Sequence, residues 1–313
     1  MTLMLSALLL VSCEQGGRAE VARHTPTIRI SAGVSTGTFG PFTDALVQGY
    51  KQLLPDLRIE AVDTPGSVRN LDALENGTLD LGLSQAGIAY MAYNGRLPDS
   101  TRQLRNIRGI AVLNSSIVHL LVAPRSQAQS INDLQGLRVG VAPAGTGNAV
   151  TSELLLSPYT DRPPVTLKVA LGQTADALLK GSLDAAFTIS GIPHDEVGRA
   201  MRDGARLVHV SGPAIDRLRS TYPFLRSALI PAGTYPNQRG TIHTLSIDIV
   251  LLARKDLDAG LVRQLTAGLF DMLPRLSSKL DFLSGMDPER APATPIPLHR
   301  GATLYYRERE LKR

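Results

Sequence analysis

Apolar positions in the first third of the chain follow two rhythms. Thr27-Ile28-Arg29-Ile30 and Arg58-Ile59-Glu60-Ala61-Val62 alternate with period two, as half-buried strands do. Phe42, Ala45, Leu46, Tyr50, Leu53 and Leu54 instead recur at helical spacing. Between the first strand and this helix lies Gly33-Val34-Ser35-Thr36-Gly37-Thr38-Phe39-Gly40-Pro41. That stretch predicts a tight strand-to-helix turn, with Gly40 as N-cap and Pro41 in the first helical turn, where a missing N–H costs nothing. The pattern then repeats. Thr64-Pro65-Gly66 forms a turn, Ser67 is placed as N-cap of a helix from Val68 to Leu74, and Asn76-Gly77 ends it. Leu79 to Ser84 predicts a short buried strand, and a further helix begins near Gln85 and closes at Asn94-Gly95.

The same grammar returns further on. Ile117 to Ala123 is a strongly apolar strand, and Ser130 to Gly136 predicts one capped helical turn. Leu137 to Val141 is a strand, Ala142 to Asn148 a second glycine turn, and Ala149 to Leu156 a helix. Val165 to Leu171 predicts a strand, Ala175 to Lys180 a helix ended by Gly181, and Leu183 to Thr188 a buried strand running into Ile189-Ser190-Gly191-Ile192-Pro193-His194. Gly77-Thr78-Leu79-Asp80 and Gly181-Ser182-Leu183-Asp184 place one G-x-L-D signal at corresponding points of the two series. Repeated strand–helix units of this length argue for two α/β lobes, each with a parallel sheet covered by helices.

Composition narrows the function. With 313 residues, 43% hydrophobic and 19% charged, the chain is globular and long enough for two domains. The formal charge of +5 is spread without a long Lys/Arg run, and there is no Trp, which argues against a nucleic-acid surface. The first glycine turn is not followed by the Gly-Lys-Ser/Thr of a P-loop and lacks the spacing of a dinucleotide fingerprint. The six histidines are scattered, a GxSxG elbow is absent, and His194-Asp195-Glu196 reads as the start of a surface helix. An enzyme, a cofactor and a metal centre are therefore not expected.

Met1 to Ser12 is apolar, uncharged and too short to span a bilayer, and it is followed by Cys13, the only cysteine. It is similar to a lipoprotein-type signal peptide (1–12) without its basic start, and Cys13 would carry the lipid. Residues 13–26 read as a tether.

Taken in order, Gly37-Thr38-Phe39, Gly66-Ser67-Val68-Arg69-Asn70-Leu71, Leu79-Asp80-Leu81, Ser84-Gln85 and Ala89 to Gly95 resemble the TAXI family, the extracytoplasmic solute receptors of TRAP transporters. Val118 to Val122, Ser130 to Leu134, Pro143-Ala144-Gly145-Thr146-Gly147, Ile230 to Pro236, Pro297 to Ala302 and Tyr305-Tyr306 extend the resemblance from about Ile28 to the C-terminus. It implies a type II periplasmic-binding-protein fold, with two α/β lobes around a ligand cleft and two hinge crossings near 118–123 and 245–253. Residues 27–118 plus 245–313 would form lobe 1, and 119–244 lobe 2.

The expected ligand contacts are Thr36, Gly37, Thr38, Phe39, Ser67, Gln85, Gly145, Thr146, Gly147, Asn148, Thr188, Ser190 and Gly191. Helix N-termini on both lobes would offer donors to an anion. Ser67 has a second reading as a simple helix cap, Phe39 as core, Gln85 as a surface residue, and Arg69 as a solvent-facing side chain. The sequence departs from the family at Phe39 and Gly40, where two tyrosines are common, and at Gly87, where a polar or acidic residue is usual. The solute expected by resemblance is a small carboxylate such as an amino acid or organic acid. The partner would be the TRAP membrane subunits, and the protein a monomer in the periplasm, anchored through its lipid. A sensing module that presents its ligand to a signalling receptor would share this fold and cleft.

Overall fold

The computed structural model describes residues 27–32, 39–170, 172–280, 283 and 285–311. The strands are β1 (Thr27–Ser31), β2 (Arg58–Val62), β3 (Leu81–Gln85), β4 (Ile107–Val122), β5 (Arg138–Val141), β6 (Val165–Lys168), β7 (Ala185–Ser190), β8 (Arg206–Leu207), β9 (Arg226–Ile230) and β10 (Ile242–Arg254). The α-helices are α1 (Phe39–Leu53), α2 (Ser67–Glu75), α3 (Ala86–Asn94), α4 (Gly147–Leu156), α5 (Thr174–Leu179), α6 (Asp195–Arg202), α7 (Pro213–Thr221), α8 (Ala259–Ser277) and α9 (Arg300–Glu310). A 3₁₀ turn at Ile131–Leu134 has the capping box that Ser130 and Asp133 announce.

Among the described residues one sheet runs β2-β1-β3-β10-β4-β7-β5-β6, with β8 on β4 and β9 on β10. It is built from two copies of one plan. In each, the first strand lies in the middle of a parallel trio, β2-β1-β3 or β6-β5-β7. An antiparallel strand then borders the third member, β10 beside β3 and β4 beside β7. The long strands β4 and β10 pair with each other and so join the halves.

Side-chain packing follows that division. One half has a core of Ile30, Leu46, Leu251 and Leu269 on one sheet face and of Leu71, Ile88 and Val250 on the other. The second half has Val118, Val139, Leu155 and Ile247 on one face and Leu121, Leu178 and Val197 on the other. Along β4 the residues pass from the first pair of cores to the second between Leu113 and Val118; along β10 the change falls between Ile249 and Ile247. The intervening Asn114-Ser115-Ser116 separates the apolar runs Ile110–Leu113 and Ile117–Val118, and the ladder shifts register between Asp248 and Val250. The Asp248 carboxylate there accepts from Ser115 Oγ at 2.7 Å and from Arg290 at 3.2 Å, and also binds Arg226.

The G-x-L-D signal has a structural meaning in both halves. Gly77 and Gly181 adopt positive φ of 78° and 72°, which turns the chain out of α2 and α5. Leu79 and Leu183 then enter the cores. Asp80 accepts the Arg29 N–H of β1 at 2.8 Å, and Asp184 accepts the Arg138 N–H of β5 at 2.8 Å. Each aspartate thus ties the approach to the third strand to the first strand of its own half.

Several expected boundaries shift. Helix α1 begins at Phe39, so Gly40 lies inside it rather than capping it. The Val165 to Leu171 strand stops at Lys168. Strand β4 begins ten residues before Ile117, because β10 gives it a partner through the first half. No described helix is long and apolar enough to cross a membrane.

Candidate functional site

The two halves meet where α2 and α4 begin. The sequence pattern places Ser67 as the N-cap of α2, and the structure differs. Gly66 is the N-cap, with φ 139°, and Ser67 is the first helical residue. Its hydroxyl accepts the Gln85 N–H at 3.1 Å, at the junction of β3 and α3. Helix α4 starts from Thr146, whose hydroxyl accepts the Ala149 N–H at 3.1 Å. A Cβ on Gly147 would stand 2.6 Å from Ser67 Oγ, so only glycine permits this approach. The Arg69 N–H, left free by the helix geometry, donates to the Gly145 carbonyl across the cleft at 3.4 Å. The Arg69 side chain lies along Gly145 and stays largely exposed, as expected of a solvent-facing arginine.

Gln85 is buried, and its amide spans the halves. Its Nε2 donates to Asn148 Oδ1 at 2.8 Å, and its Oε1 accepts from Thr151 Oγ1 at 2.6 Å. Asn148 Nδ2 in turn donates to the Ile189 carbonyl at 3.0 Å, which ties α4 to the end of β7. Asn148 and Thr188 also line a small cavity with Val141, Ala142 and Thr174. Ser190 is buried and donates to the Gly191 carbonyl at 3.1 Å.

The expected site residues therefore fall into groups. Ser67, Gln85, Gly145, Thr146, Gly147 and Asn148 come together at one junction, with Thr188, Ser190 and Gly191 along the adjoining strand end. Phe39 packs, half-buried, against the core beneath α1. Thr36, Gly37, Thr38 and Cys13 lie outside the described residues. Thr151 joins this junction as a residue that the sequence motifs do not single out; its place one turn after Gly147 on the same helix is the signal for it.

Behind β7 a buried network holds the wall. His119 Nδ1–H donates to the Thr188 carbonyl at 3.2 Å. The Tyr235 hydroxyl accepts the His194 N–H at 3.1 Å and donates to His119 Nε2 at 2.8 Å, which completes the neutral tautomer. Burial, with a contribution from His194, lowers the His119 pKa to about 4. Glu196 is also buried, and not the surface residue that its sequence context suggested. Its Oε1 accepts the N–H groups of Thr174 and Ala175 at 2.7 and 3.2 Å, so it caps α5. The positive end of α5 is neutralised within its own half, while α2 and α4 meet at the cleft.

Two α/β halves of one topology, joined by two crossing strands and meeting over paired helix N-termini, define the type II periplasmic-binding-protein class. The NMT1-like family model matches residues 30–309, and the chain belongs to that family. Among solved structures it is similar to MatC from Rhodopseudomonas palustris with bound malate, at 17% identity and a TM-score of 0.57, covering 92% of this chain and 98% of that one. PhnD1 from Prochlorococcus marinus in complex with methylphosphonate matches at 11% identity and 0.57, covering 91% and 98%. A putative L-cystine ABC transporter protein from Listeria monocytogenes matches at 14% and 0.53, covering 85% and 99%. These likenesses are of fold. The family and its structural neighbours are substrate-binding proteins rather than enzymes.

Proposed function

We propose that this protein is an extracytoplasmic solute receptor of the TAXI type that closes on a small carboxylate-bearing solute and delivers it to TRAP membrane subunits. The observation that supports this most is the meeting of the α2 and α4 N-termini, one from each half, at Ser67 and Gly147. Apart from the Arg69 and Ala149 N–H groups, which already have acceptors, the first-turn N–H groups and the aligned dipoles of the two helices favour an anion there. We assign lobe 1 to 27–118 plus 245–313 and lobe 2 to 119–244, with the crossings as hinges; the change of core along β4 and β10 supports two crossings, while Val118, Leu245 and Ile247 pack with the second half. Ser67, Gln85, Gly145 to Asn148, Thr188, Ser190 and Gly191, together with Thr36 to Phe39, form the proposed solute contacts. Cys13 is the proposed lipid anchor, on the periplasmic side, of a monomeric receptor.

A thermal-shift screen against amino acids, dicarboxylates, keto acids and sugars tests the reading. A ligand at a hundred times its Kd adds about 2.7 kcal/mol of stability. A shift confined to one class of small acids is the expected result, and Ser67→Ala should weaken it. A panel with no shift for any acid would refute the carboxylate assignment. Cys13→Ala should move the protein from membranes to the soluble fraction; unchanged fractionation would refute the anchor.

A further inference from the structure

The contact between the halves has an apolar component that owes nothing to a solute. Tyr222-Pro223-Phe224 leaves α7 in the second half, anchored by the Leu225 N–H donating to the Tyr222 carbonyl at 2.9 Å and by the buried Leu225 side chain. From there Phe224 reaches α3 of the first half. Its ring lies so close to Gly87 that a Cβ at that position would stand 2.3 Å from a ring carbon. The ring centroid of Tyr90, one turn along α3, is 6.3 Å from that of Phe224, and the Tyr222 centroid is 5.5 Å from it. Val150 of α4 packs on the same α2–α3 cluster. Next to this contact, Gln85 has both ends of its amide satisfied by Asn148 and Thr151 of the opposite half.

We propose that Phe224, seated in the notch left by Gly87, is a built-in latch that holds the two halves together in the solute-free protein. The latch uses the receptor reading only for the existence of an opening motion. Each component is a contact present in the closed arrangement and lost on opening, so each biases the equilibrium toward closure whether or not solute is bound. The ring removes apolar surface from water, and the aromatic neighbours add to that. The Gln85 amide contributes less, since water replaces its partners on opening. A solute then adds to a closure that is already favoured, and the conformational cost of binding is small.

The test needs no ligand. In full-length protein with Cys13→Ser, spin labels at Arg102→Cys and Asp161→Cys, exposed positions on opposite halves, report the interlobe distance. Without solute, one short-distance population should dominate. Phe224→Ala should shift the closed-to-open ratio by about tenfold toward a longer distance. Gly87→Ala is the independent variant: it improves the helix propensity of α3, yet its methyl displaces the ring, so it should open the protein without lowering its melting temperature. A solute-free wild type that is already open would overturn the latch, as would unchanged distances in both variants. Failure of the solute screen is a separate result, because neither distance measurement depends on it.

Discussion

The repeated aspartate offers the sharpest test of how burial grades one motif. The Asp80 side chain is 4% exposed and is held by Arg29 Nε at 3.4 Å and Arg254 Nη2 at 3.2 Å, in addition to the Arg29 N–H. Asp184 has the same backbone partner type and an Arg138 pair at 2.8 Å, but it is 30% exposed. Asp80→Ala leaves the β1 N–H without its acceptor and Arg29 without its carboxylate, while Arg254 keeps Asp256 at 3.1 Å. Both arginines are partly exposed and rehydrate, so the loss is set by the orphaned N–H and the charge-assisted bonds. A cost of about 3 kcal/mol follows. Asp184→Ala should cost clearly less, because water reaches the site and screens the pair. Asp80→Asn keeps an oxygen for the N–H and should fall between wild type and Asp80→Ala. Urea unfolding followed by circular dichroism measures all three. An equal or larger loss for Asp184→Ala would refute the argument from burial.

Two further predictions concern the second half. His119 titrates near 6.5 when unfolded and at about 4 when folded, so the folded state binds its proton less readily. Its contribution is whole above about pH 6.5 and is lost as pH falls toward 4, a change of about 3 kcal/mol; the difference in urea stability between wild type and His119→Gln should shrink over that range, and parallel curves would reject the assignment. Glu196→Ala leaves the two N–H groups of α5 unpaired and should cost about 2 kcal/mol, whereas Glu196→Gln keeps the oxygen and should lose about 0.5–1 kcal/mol; thermal melts that do not separate the two variants would show that α5 is capped otherwise.

Local chemistry was legible where one short segment decides its own state. The β2 limits, the Asn76-Gly77 and Gly95 helix ends, and the capped turn after Ser130 followed from spacing and turn residues alone. The G-x-L-D repeat correctly signalled two similar halves, although its aspartates find their purpose only when Arg29 and Arg138 arrive from strands far away in sequence. What sequence patterns could not decide was which groups meet. Ser67 satisfied every local requirement of a cap, yet its hydroxyl is taken by Gln85 eighteen residues on. Glu196 looked solvated at the head of a helix and is buried on another helix's free N–H groups. Gly87 looked like a missing polar group and is the seat of Phe224. Periodicity and turn preference act over a few residues, so the chain by itself determined the short strand–helix units of its two series and their repetition, while the first half of β4 waited for β10 as a partner. Partners for buried polar groups and for one bare glycine are chosen by tertiary proximity, and only the folded protein decided those.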